Sequence, residues 1–96
     1  MTAQQDTQFN EGLAIEALQY LASEDDLLMR FSALSGILPN DMREASAQPG
    51  FLAGVLDFFL SHEPDLLTFC GQSGHSPEAV VSARHKLAPN DSAGFE

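Results

Sequence analysis

The chain has 96 residues, 44% hydrophobic and 19% charged, a composition that suits one globular domain with one core and excludes a disordered chain. Four Lys and Arg against fourteen Asp and Glu leave a formal charge of −10, which repels phosphate backbones and anionic lipid and so argues against nucleic-acid and membrane-surface partners. A basic protein surface or a cationic ligand is the better electrostatic match, with a homodimer as a further option.

The opening MTAQQDTQFN lacks both a basic residue and an apolar core, so it does not read as a signal peptide, and residues 1–9 are expected to fray. Apolar runs stay well short of the roughly 20 residues that cross a bilayer. Cys70 is the single cysteine, which leaves no disulfide framework or zinc-binding thiolate cluster and suits a reducing cytoplasm.

Asp6 or Asn10 is placed to cap a first helix ending near Ala22. In it Phe9, Leu13, Ala14, Ala17, Leu18 and Leu21 recur at spacings of three and four. Ser23 before Glu24, Asp25 and Asp26 reads as the start of a second helix, with a hydroxyl cap and carboxylates at the positive end of the helix dipole. These carboxylates lack the alternating spacing and central Gly of a calcium loop. The second helix is expected to bury Leu27, Leu28, Phe31 and Leu34. Gly36 then supplies the left-handed backbone of a C-cap, with Ile37 folding back on the last turn. Pro39 opens a short third helix that ends at Gln48-Pro49-Gly50.

The stretch FLAGVLDFFL, Phe51 to Leu60, carries only Asp57 as a charge and predicts the most buried helix. Gly50, Gly54, Asp57 and Ser61 fall on one narrow stripe, and the rest forms a wide apolar arc. Glu63-Pro64-Asp65 starts a fifth helix burying Leu66, Leu67, Phe69 and Cys70, which stops at Ser73-Gly74. Ser76-Pro77-Glu78 starts a sixth, with Val80, Ala83 and Leu87 inward and Arg84, His85 and Lys86 near its negative end. Pro89 ends it, and residues 88–96 read as a flexible acidic tail.

A shift of 38 residues lays Ala14–Ala45 on Leu52–Ala83 with eight of 32 positions identical. The matches include core positions (Leu18/Leu56, Leu28/Leu66, Phe31/Phe69) and turns (Ser35/Ser73, Gly36/Gly74, Pro39/Pro77). The expected architecture is therefore all-α: a single six-helix bundle over residues 10–87, built from two similar three-helix units, 10–47 and 48–87. The units are expected to pack around helices one and four.

Chemical motifs are sparse. His62, His75 and His85 lie far apart without the spacing that sets two ligands on one helix face, so no metal site is expected. Cys70 follows Phe69 on an apolar face and reads as a small core residue. Asp57 would need a partner if buried, and the simplest expectation is that its stripe faces water. The paired Ser-Gly-x-x-Pro turns suggest a helix-turn-helix, but Asp41, Glu44 and Glu78 are the wrong charges for reading DNA.

The run Gln48-Pro49-Gly50-Phe51-Leu52-Ala53-Gly54-Val55-Leu56-Asp57-Phe58-Phe59-Leu60, followed by Glu63 to Cys70 and Pro77-Glu78, resembles the small bacterial proteins of the domain of unknown function 3572 family. Ala14 to Ala22 and the Phe31 to Gly36 turn fit the same pattern, so the likeness covers most of residues 10–87. The resemblance implies an all-helical proteobacterial cytoplasmic protein with no assigned activity or cofactor and no functional residues to carry over. It also implies a signalling setting, since members are often encoded near a single-domain response regulator.

The leading expectation is a non-catalytic interaction module with no catalytic residues and no cofactor. Phe51, Phe58, Phe59 and Leu60 on or beside the fourth helix are its candidate contact residues, because they offer more apolar arc than a short helix needs. The rival is a small ligand-binding or enzymatic protein using Asp57 with a nearby histidine.

Overall fold

In the computed structural model, which describes residues 3–87, the chain forms six α-helices and, among the described residues, no strand. They are α1 (Ala3–Ser23), α2 (Asp25–Ser35), α3 (Met42–Ala45), α4 (Pro49–Leu60), α5 (Glu63–Ser73) and α6 (Pro77–Leu87), with a 3₁₀ turn at Pro39–Asp41 before α3. Residues 1, 2 and the expected tail at 88–96 lie outside the described residues.

The centre of the molecule is the packing of α1, α4 and α6 on one another. Small side chains allow it: Ala14 and Ala17 of α1, Ala53 of α4 and Ala83 of α6 are wholly buried, so the helices approach closely there. Leu13, Leu21, Val55, Leu56 and Val80 fill the space around these contacts. The aromatic rings form the second part of the core. Phe31 stands edge-on to both Phe51 and Phe58, with centroids at 5.7 and 5.5 Å, and Phe59 lies between Phe58, Phe69 and Tyr20.

Several expectations need correction. α1 begins at Ala3, not at a cap on Asp6 or Asn10, so the helix runs through most of the segment expected to fray. Ala and Gln are good helix formers, and an apolar stripe further along anchors the turns before it. Asn10, read as a cap, is instead a buried residue within the helix. Ser23 does not cap α2: a single residue, Glu24, separates the helices, so Ser23 still belongs to α1 and its hydroxyl donates to the Tyr20 carbonyl at 2.7 Å. Phe9, Leu34 and Leu67, placed on inward faces by periodicity, are 55%, 72% and 51% exposed. Each sits near a helix end or on a helix covered along one narrow line, where the apolar stripe is wider than the contact.

The 38-residue register reappears in local bonding at the helix corners. Ser23 and Ser61 each donate to the carbonyl three residues back, and Gly36 and Gly74 sit at φ 78° and 85° with their amides donating to Ser32 and Cys70. The hydroxyls of Ser35 and Ser73 each accept from the amide two residues on, at 3.1 and 3.2 Å. Past the turns the likeness stops. Ser76 caps α6 by accepting from the Ala79 amide at 3.1 Å, whereas its counterpart Leu38 has no side chain to cap with, and α3 is a single turn cut short before Pro49. α6 lies along both α1 and α4, while α3 packs chiefly against its own 3₁₀ turn. Leu56 is wholly buried and Leu18 only partly, so the packing does not establish the two similar three-helix units expected from the register.

A candidate docking groove

Helices α2, α4 and α6 border an open groove of about 740 Å³. Phe31, Leu34 and Ser35 come from α2; Gly54, Asp57, Phe58 and Leu60 from α4, with Ser61 beyond it; and Val81, Arg84 and His85 from α6. Sequence explains the shape. Gly54 has no side chain to fill the space above α4, and nothing approaches within 4 Å of where a Cβ would stand. Leu34 of α2 and Val81 of α6 are 72% and 53% exposed, while Phe58 is buried against Phe31 and Leu60 is half-buried.

Asp57 and Arg84 form the polar part of the wall. Arg84 donates from Nε to Oδ1 at 2.6 Å and from Nη2 to Oδ2 at 2.9 Å, a side-on bidentate pair. The guanidinium side chain is 11% exposed and the carboxylate side chain 40%, so the cation is sunk between the helices while the anion looks into the groove. Asp57 thus does not face water without a partner: both its oxygens accept from a permanent cation.

The histidines do not converge. His62 pairs through Nδ1 with Asp65 Oδ2 at 2.7 Å, an oxygen also held by Arg30, whose guanidinium lies 5.6 Å from the Phe58 ring centroid. His75 meets Glu16 through Nε2 at 3.1 Å, between the rings of Phe9 and Phe69. His85 alone of the three borders the groove. The buried Cys70 thiol is pushed above its ordinary value by burial and then by Glu78, the reverse of nucleophile activation. Among the described residues no three His, Cys, Asp or Glu side chains gather as a metal would require, and no helix is long and apolar enough to cross a membrane.

A second, smaller hollow of about 330 Å³ lies between α1 and α5, bordered by Glu16, Gln19, Tyr20 and Gln72. The Tyr20 phenol there is raised by burial first and then by Glu24 and Asp65, which keeps it a neutral hydroxyl.

The family model described as "Protein of unknown function (DUF3572)" matches residues 7–90. The chain belongs to the DUF3572 family. The match takes in every DUF3572 residue bordering the groove. No curated protein and no solved structure matches the chain.

Of the candidate contact residues, Phe51 (8% exposed), Phe58 (6%) and Phe59 (wholly buried) belong to the core, because α2 and α5 cover the aromatic face of α4. Phe58 and Leu60 border the groove, whereas Phe51 and Phe59 do not. Gly36, Pro39, Gly74 and Pro77 stand at the turns that set the direction of α2, α5 and α6. Periodicity missed Arg84, read only as a cation at a helix end. A signal was present: Arg84 shares the inward stripe Val80, Ala83, Leu87 and is one of four Lys and Arg in the chain, facing a helix whose lone charge is Asp57.

Proposed function

We propose that this protein is a non-catalytic interaction module of the bacterial cytoplasm, and that a protein partner with a positively charged, partly apolar surface docks in the α2–α4–α6 groove. The observation that carries the reading is that exposed Leu34 of α2 and Val81 of α6 border one groove together with the buried Phe58. Apolar side chains so placed give a partner dry surface to cover, and aromatic residues favour such centres. The net charge of −10 selects a basic partner and opposes a second copy of the chain as occupant. The lone cysteine fits a reducing compartment. The family resemblance makes a signalling protein the first partner to try.

The enzymatic reading has one point in its favour, that His85 borders the same groove as Asp57. The bidentate hold of Arg84 on Asp57 counts against it, since both carboxylate oxygens are already hydrogen-bonded to a guanidinium. The test is affinity capture from native cytoplasm with the wild type and with Leu34→Asp and Val81→Asp, each shown to keep its helical circular dichroism. A protein bound by the wild type and lost from both variants is the expected result. Identical capture by all three would move the docking surface elsewhere.

A further inference from the structure

The groove is bordered by the last turns of three helices. Leu34 and Ser35 close α2, Leu60 and its neighbour Ser61 close α4, and Arg84 and His85 lie in the last turn of α6. A helix carries about half a negative charge at its C-terminal end, felt within about one turn. Each such end leaves partial negative charge beside the groove unless a cation in its own last turn offsets it. Lys86 in its own last turn offsets the end of α6, Arg84 being taken up by Asp57, but α2 and α4 have no basic residue in their last turns. Asp57, partly exposed on the same side, is matched by Arg84, so the ends of α2 and α4 carry the unmatched negative charge beside the groove.

We infer that the occupant of this groove is an amphipathic α-helix of another protein, bearing a Lys or Arg that its register sets over the C-terminal ends of α2 and α4, beside Asp57. This rests on the docking reading above and specifies its partner. A helix is the fitting shape because the walls are themselves helices, and helix-in-groove recognition uses apolar anchors one turn apart of the kind Leu34, Phe58, Leu60 and Val81 would receive. The molecule measures 38 × 29 × 26 Å, so a helix of about 18 residues, about 27 Å long, crosses one face. The cation supplies register. Without it an apolar stripe can slide by a turn in the groove, and with it one position is favoured.

The probe is a displayed library of helix-forming peptides of about 18 residues, selected on the intact protein, with affinities of winners measured for the wild type, Leu34→Asp and Val81→Asp. Both substituted positions are exposed, so folding is retained, and circular dichroism checks it. The expected winners share an apolar stripe at i, i+3 or i+4 and i+7, carry a Lys or Arg at one fixed place relative to it, and lose at least about tenfold in affinity on either variant. Exchanging that Lys or Arg for Glu costs a similar factor, and added salt weakens the parent peptide more than the exchanged one. Winners that depend on Leu34 and Val81 but lack a fixed basic position would overturn the charge inference and leave the docking reading in place. Winners indifferent to both variants would overturn the two together.

Discussion

Arg84 of α6 clasps Asp57 of α4 through two hydrogen bonds of 2.6 and 2.9 Å, across 27 residues of chain, with the guanidinium buried and the carboxylate partly wet. The exposure difference makes the two partners unequal. Asp57→Ala leaves a guanidinium sunk between α4 and α6 without its carboxylate, and Arg84→Met leaves a carboxylate that water can reach. Breaking a buried pair costs about 3–5 kcal/mol, and solvent at Asp57 reduces this, so Asp57→Ala is expected to cost about 2 kcal/mol. Arg84→Met, which keeps most of the apolar stem, is expected to cost under about 1 kcal/mol. Urea midpoints that reverse this order would contradict the assignment of the buried charge.

Gly36 and Gly74 stand at φ 78° and 85° with open space around the position of a Cβ, so the penalty for a side chain there is backbone strain alone. Replacing either with Val is expected to destabilise by about 1–2 kcal/mol. Gly12, inside α1 and equally unobstructed, should behave oppositely, with Gly12→Ala stabilising by about 0.5–1 kcal/mol. Chemical denaturation of the three variants checks both signs.

Alkaline pH should weaken the fold. The folded protein holds the protons of the Cys70 thiol and the Tyr20 phenol more tightly than ordinary values of 9.0 and 10.0, mainly through burial. A raised folded-state value gives stability that is full below the unfolded value and is lost as pH rises through the folded one. Unfolding midpoints should therefore hold steady up to about pH 9, as far as these two groups set them, and decline above it. Cys70→Ala should flatten the first part of that decline. A slope unchanged by the substitution would assign the effect to other groups.

Much of this molecule is legible in the chain because its helices are separated by strong local signals. The Gly36 and Gly74 caps and the Pro39 and Pro77 starts place four boundaries without any tertiary information. Burial along each helix was harder to read, since periodicity marks an apolar side without saying how much of it a neighbour covers: Leu34 and Phe31 lie on one stripe of α2, yet one is 72% exposed and the other 4%. The groove itself depends on which helices meet. Sequence pairing suggests α1 with α4, and the unequal lengths of α3 and α6, which decide that α6 lies along both, follow from a cap present at Ser76 and missing at Leu38.

Core and groove should separate cleanly under substitution. Phe59, wholly buried among Tyr20, Phe58 and Phe69, is expected to lose about 3–5 kcal/mol as Phe59→Ala, enough to unfold a domain of this size. Val81→Asp, on exposed surface, should stay within about 0.5 kcal/mol of the wild type. Thermal melts of the two variants measure the difference.

The proposed docking surface is tested most directly by placing a photo-reactive benzoyl-phenylalanine at one position at a time and irradiating the protein in cells of its source. Positions 34 and 81 report on the groove, while 15 and 67, exposed apolar residues outside it, serve as references. A groove that receives a partner should give the same covalent adduct from 34 and from 81, with none from 15 or 67. An adduct from 15 or 67 with nothing from the two groove positions would contradict it.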